Sequence, residues 1–131
     1  MICVDTSSLV ALLEGEQGGD VELVAQALRD SVLCIAPITV TEMLSAAALP
    51  SSVEDLIISI PQLEIKPGYW ERAGTLRAEL LRHHLKPKIA DTLIAQSCLD
   101  HDVQLVTRDL GFSALQKFGG LRVQAIGERL Q

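Results

Sequence analysis

Short apolar runs rich in β-branched residues alternate along this chain with longer amphipathic stretches, and that alternation narrows the folds open to it. Residues 2–4, 32–36, 63–65, 104–107 and 122–126 read as strands. They show little polar alternation, as strands do when a parallel sheet is covered on both faces. Between them, residues 7–14, 20–30, 39–49, 52–59, 69–85, 88–99 and 111–118 carry helical periodicity. Ser51 or Ser52 is the expected N-cap of the fourth of these helices. Strands separated by helices form βαβ units with right-handed crossovers. The expected fold class is therefore α/β, an open parallel sheet flanked by helices. No repeat, low-complexity tract or linker divides the chain. Its 131 residues suit one domain, expected to span 1–131.

Hydrophobic residues make up 48% of the chain and aromatics only 3%, so the core is expected to be built from Leu, Ile, Val and Ala. Base-stacking platforms, which need exposed aromatics, are not expected. Tyr69 and Trp70 open a helix and are expected to pack rather than stack bases. No apolar run approaches the roughly 18 residues of a membrane span. The start Met1-Ile2-Cys3-Val4-Asp5 lacks a basic n-region, so a signal peptide is not expected. Cys3, Cys34 and Cys98 are odd in number and form no CxxC or Cys/His cluster, which points to buried free thiols in a reducing, cytoplasmic setting.

Charge is unevenly spread. The net charge is −6, yet between Lys66 and Lys88 six bases face only Glu71 and Glu79. That segment weakens the objection that an acidic protein raises against nucleic-acid binding, although taken by itself it is better read as a solvated helix face.

Ligands of open α/β sheets gather beyond the carboxyl ends of the strands. Asp5 ends the first strand, Glu42 lies in the helix after the second, Asp91 lies early in the helix starting near Lys88, and Asp109 follows the fourth strand. Four carboxylates at one sheet edge repel one another and raise their own pKa values. A hard divalent cation such as Mg²⁺ or Mn²⁺, which prefers oxygen ligands, removes that cost. Each acid also has a plainer reading. Asp5 and Asp109 can cap the helices that follow them, and Glu42 and Asp91 can complement a helix dipole. The set of four at one edge favours the metal site.

Val4-Asp5-Thr6-Ser7, Pro37-Ile38-Thr39-Val40-Thr41-Glu42-Met43-Leu44, Ala90-Asp91-Thr92-Leu93-Ile94-Ala95 and Leu105-Val106-Thr107-Arg108-Asp109 closely resemble the four signatures of PIN-domain ribonucleases, nearest to the VapC toxins of toxin–antitoxin pairs. The resemblance runs from Ile2 to about Val123 in the family's order. It implies a single PIN-like domain with sheet order 3-2-1-4-5, the first and fourth strands side by side. It implies Mg²⁺ (or Mn²⁺) held by Asp5, Glu42, Asp91 and Asp109, and attack of a metal-bound water on an RNA phosphodiester. Thr6, Ser7 and Thr107 are the hydroxyls expected to orient carboxylates or metal waters. Arg82, Lys86, Lys88 and Arg108 are the expected RNA-phosphate contacts. A cognate VapB-like antitoxin and a homodimer are further implications, with no role for a membrane. A PIN-like scaffold without activity, or an RNA-processing nuclease without a toxin role, would carry much the same sequence.

Other chemistries fit less well. His83 and His84 are adjacent, so their side chains diverge by about 100° on a helix rather than converging on a metal. His101 lies in a polar turn. There is no G-x-S-x-G elbow and no G-x-G-x-x-G after the first strand. A haloacid-dehalogenase-type phosphotransferase would want Asp where Ser7 stands. A response-regulator receiver would want a lysine after the last strand, where Gly127-Glu128 stand.

Overall fold

The structure is a computed structural model and describes residues 1–124. Four parallel strands, β1 (Ile2–Val4), β2 (Leu33–Cys34), β3 (Gln104–Val106) and β4 (Val123–Gln124), form a sheet in the order β2-β1-β3-β4. Ile2, Cys3 and Val4 pair with Gln104, Leu105 and Val106, so the two central strands end level. Among the described residues, seven α-helices surround the sheet: α1 (Thr6–Leu13), α2 (Gly19–Arg29), α3 (Pro37–Leu44), α4 (Ser51–Ser59), α5 (Tyr69–Arg82), α6 (Ile89–His101) and α7 (Ser113–Gly119). A single 3₁₀ turn at Leu110–Phe112 leads into α7.

The strands alternate between two cores, as the two-residue period of a strand requires. Cys3, Cys34 and Leu105 point to one side, where they meet Leu80 of α5, Ile94 and Cys98 of α6, and Leu115 of α7. Val4, Leu33, Ile35 and Val106 point to the other, against Leu9 of α1, Val24 of α2 and Met43 of α3. The three cysteines are free and buried, as the sequence implies. No helix among the described residues is long and apolar enough to cross a membrane.

The expected third strand, 63–65, contracts to one parallel bridge between Ile35 and Gln62. It lies outside β2, so the order 3-2-1-4-5 holds with that strand reduced to a single pairing. Pro61 precedes it and Pro67 closes it, and beyond the buried Leu63 the side chains of Glu64 and Ile65 are exposed. Proline and charge suit a short edge rather than an extended strand. Residues 125 and 126 of the expected last strand lie outside the described residues.

The helix expected over 39–49 runs instead over Pro37–Leu44. Ser45 Oγ donates to Thr41 O at 2.6 Å, and Ala48 adopts φ 58°, turning the chain before Pro50. Pro50, not Ser51 or Ser52, is the N-cap residue of α4, its carbonyl accepting from Val53 N and Glu54 N. The expected inward stripe of α5 appears as Tyr69, Ala73 and Leu80 buried, with Leu76 half-buried against them. Trp70 departs from expectation. Tyr69 is buried and its hydroxyl donates to Leu93 O at 2.7 Å, while Trp70 beside it is 61% exposed.

Candidate active site

Asp5 continues directly from β1, its backbone N–H donating to Val106 O at 3.2 Å. That bond ends the β1–β3 ladder and holds Asp5 beside Thr107. Asp5 is also the N-cap of α1: Oδ1 accepts from Ser8 N at 3.3 Å and from Ser7 Oγ at 2.8 Å. Oδ2 accepts from Thr107 Oγ1 at 2.7 Å. Capping and site geometry are therefore compatible at this residue. Burial raises the Asp5 pKa above the ordinary carboxylate range, and the bonds from Thr107 and Ser7 offset part of that rise.

The hydroxyls flanking Asp5 form one chain of contacts. Ser7 Oγ stands 3.2 Å from Thr107 Oγ1 and accepts from Arg108 N at 3.3 Å. Thr107 Oγ1 accepts from Asp109 N at 2.9 Å. Asp109 thus leaves β3 on a fixed turn, caps the 3₁₀ turn through Gly111 N at 2.8 Å, and keeps its side chain toward solvent. Thr6, in the first turn of α1, donates to Glu42 Oε1 of α3 at 2.8 Å, which ties that exposed carboxylate to the same edge.

Asp91 lies in the first turn of α6 and is buried. Its pKa is raised to about 6, first by burial and then by the charge of Asp109, with smaller contributions from Asp5 and Glu42, while Lys88 opposes them. Asp91 is therefore within electrostatic reach of the other three sequence-identified acids. Gly111 completes the cleft. A Cβ there would lie 3.1 Å from Asp109 Oδ1 and 3.2 Å from Asp91 Oδ2, so a side chain would intrude between the two carboxylates.

The donor set is all oxygen and all anionic, which suits a hard divalent cation. Among the described residues no three acid, His or Cys side chains are already grouped as a finished metal centre. The fit lies in the chemistry of the donors.

The four expected phosphate contacts separate. Lys86 and Lys88 are exposed on the approach to α6. Arg82 pairs with Glu79 on its own helix. Arg108 turns away from the cleft: Nε and Nη2 donate to Asp20 Oδ2 and Oδ1 at 2.8 and 2.9 Å, and Nη1 to Glu16 Oε1 at 3.0 Å. Asp20 is 1% exposed and also accepts from Ser8 Oγ at 2.7 Å. Burial pushes the Asp20 pKa up, but the Arg108 and Ser8 bonds outweigh it and hold the carboxyl below its ordinary range. The sequence reading missed this Arg108–Asp20–Ser8 brace. Its one local signal was an acid in the first turn of α2, and the partner stands 88 residues away.

The fold is shared with chains of solved toxin–antitoxin complexes. One from DNA-bound VapBC of Salmonella typhimurium is 21% identical with a TM-score of 0.75, over 95% of this chain and 96% of that one. One from VapBC-1 of nontypeable Haemophilus influenzae is 20% identical with a TM-score of 0.74, over 95% and 98%. One from VapBC2 of Rickettsia felis, bound to a promoter DNA fragment, is 20% identical with a TM-score of 0.71, over 96% and 99%. No curated protein matches the chain significantly in sequence. The PIN domain pattern matches residues 2–117, and the chain belongs to the PIN domain family.

Proposed function

We propose that the protein is a metal-dependent endoribonuclease and the toxin of a type II toxin–antitoxin pair. The observation that carries the nuclease reading is the convergence of Asp5, Glu42, Asp91 and Asp109 on one edge, with the Asp91 pKa lifted to about 6 partly by the other three. Burying mutually repelling acids is costly unless a cation joins them. The full-length likeness to chains from VapBC complexes supports the toxin role and a VapB-like antitoxin as partner; a homodimer is part of the same reading.

In this reading Asp5, Glu42, Asp91 and Asp109 hold Mg²⁺ or Mn²⁺. Once bound, the ion supplies an activated water and neutralises charge developing on the phosphodiester. The chain's own residues do the rest. Thr107 and Ser7 hold the Asp5 carboxylate in one orientation, and with Ser8 N also on Oδ1 one acceptor site remains, on Oδ2. Thr6 does the same for Glu42. Asp109, exposed after β3, acts at the rim, where its loss is mildest. Lys86 and Lys88 take RNA phosphates, giving affinity without sequence choice. Arg108 belongs to the brace beneath the site.

Brief induction in bacterial cells of the wild type and of Asp91→Asn, followed by mapping of RNA 5′ ends, tests the reading. Discrete new ends and growth arrest with the wild type alone are expected. Identical end maps for the two proteins would overturn it in favour of a non-catalytic PIN-like scaffold. New ends without growth arrest would overturn the toxin role and leave an RNA-processing nuclease.

A further inference from the structure

Along α5 and α6, two adjoining hollows have Trp70 and Leu93 in common. The larger, of about 290 Å³, is also lined by Ala73, Gly74, Arg77, Ile89 and Thr92. Trp70 is held firmly at its base. Its ring meets that of Tyr69 edge-on, with centroids 4.9 Å apart and planes at 80°, and the buried Tyr69 is fixed by its bond to Leu93 O. The indole itself is 61% exposed.

Gly74 explains why the indole stays bare. On a helix, residue i+4 lies over residue i and side chains lean toward the N-terminus, so a side chain at 74 would cover Trp70. A Cβ at Gly74 would meet nothing within 4 Å, so the chain's own packing does not require glycine there. Mid-helix glycine weakens α5, and its effect at this place is to leave open space beside an aromatic face.

The unneutralised charge of the basic segment collects at the same place. Arg72 is paired with Asp100, Arg82 with Glu79, and Lys66 donates to Asp100 O. Among the described residues, Lys86, Lys88 and the terminal nitrogens of Arg77 have no carboxylate partner. Arg77 lines the hollow with Nε held by Pro87 O at 3.0 Å, and Lys88 directly precedes the lining residue Ile89. A bare indole with the free end of Arg77 in the same hollow, and Lys88 next in sequence to a lining residue, has the two halves of a nucleotide site, a face for the base and positive charge for a phosphate.

We infer that Trp70 is the stacking platform for one unpaired base of the RNA substrate, with Arg77 and Lys88 taking the flanking phosphates. The inference rests on the ribonuclease reading and adds a positioning site to it.

The test uses a short single-stranded oligoadenylate, in EDTA and again with Ca²⁺ in place of Mg²⁺, and a matched abasic strand. Trp70 is the only tryptophan in the chain, so its fluorescence reports this site alone. Oligoadenylate is expected to quench it saturably, while the abasic strand binds by anisotropy without quenching. Trp70→Ala is expected to weaken oligoadenylate binding about tenfold, within the range of base–aromatic stacking. Trp70→Phe is expected to restore most of that loss, with the melting temperature and molecular mass of both variants unchanged. Oligoadenylate binding without quenching, or unchanged affinity in Trp70→Ala, would overturn the platform alone. A fall in mass with affinity preserved would assign the face instead to contact between two copies of the chain. If no RNA binds the wild type under either condition, the ribonuclease reading falls together with the platform.

Discussion

Thr107 Oγ1 lies 2.7 Å from Asp5 Oδ2, a contact across the level ends of β1 and β3 between residues 102 apart in sequence. The same oxygen accepts from Asp109 N, so one threonine hydroxyl fixes both the acid on β1 and the backbone that presents the acid after β3. Thr107→Val keeps the shape of the side chain and removes both bonds. Stability should fall by about 2 kcal/mol, since two hydrogen bonds are lost and one of them reaches a buried carboxylate. Activity should fall more, about 10- to 100-fold, as when a group supporting a metal ligand is lost. Cleavage rates across a Mg²⁺ titration check this, and recovery at saturating metal would locate the defect in metal affinity.

Asp91 sets the pH dependence. Its folded-state pKa of about 6 lies above the ordinary value of 3.8, so the metal-free native state binds the proton more tightly than the unfolded chain. The group therefore contributes most to stability when protonated, in acid, and that contribution is lost as pH rises from about 4 through 6. Asp91→Asn should raise the metal-free melting temperature by a few degrees at pH 7, with the gap closing near pH 4. In the wild type, Mg²⁺ uptake at pH 6 should release protons and weaken steeply below that pH. Differential scanning calorimetry and titration in two buffers of different ionisation heat measure these effects.

Lys88 and Arg108 should behave oppositely although both are bases beside the site. Charge reversal at Lys88 should weaken RNA binding and shallow its salt dependence, with the melting temperature little changed. Arg108→Ala strands the buried Asp20 carboxylate, so its main effect should be a melting temperature lower by several degrees. Salt-dependent anisotropy together with thermal denaturation distinguishes the two.

Gly111→Ala tests the cleft between Asp91 and Asp109. The added methyl would sit within 3.2 Å of both carboxylates, so metal-dependent cleavage should drop at least tenfold. The position is exposed and needs no left-handed backbone, so the melting temperature should stay within a degree or two. Parallel rate and melting measurements give the comparison.

The legible parts of this protein were those written in local pattern. Ile2–Val4 and Gln104–Val106 are short, apolar and buried, and an acid at or just beyond the end of such a strand has few places to go except the ligand edge of a parallel sheet. Asp91 in the first turn of an otherwise buried helix was legible for the same reason. What escaped was set by partners distant in sequence. Arg108 adjoins Asp109, which made it look like a substrate contact, but its geometry is decided by Asp20 on α2. Trp70 and Tyr69 look alike as neighbours, yet a one-residue step on α5 turns one into the core and the other into solvent. The third strand contracted because pairing at a sheet edge depends on one neighbour only, and Pro61 and Pro67 leave room for a single bridge.

If these four carboxylates form a metal-dependent ribonuclease site, cleavage requires both the ion and Asp91. The most direct measurement incubates the purified protein and its Asp91→Asn variant with total bacterial RNA and maps the new 5′ ends with Mg²⁺, with Mn²⁺ and with EDTA. The account predicts discrete ends for the wild type with either metal, none in EDTA, and none for Asp91→Asn under any condition. Ends that persist in EDTA, or that Asp91→Asn produces at the wild-type rate, would contradict it.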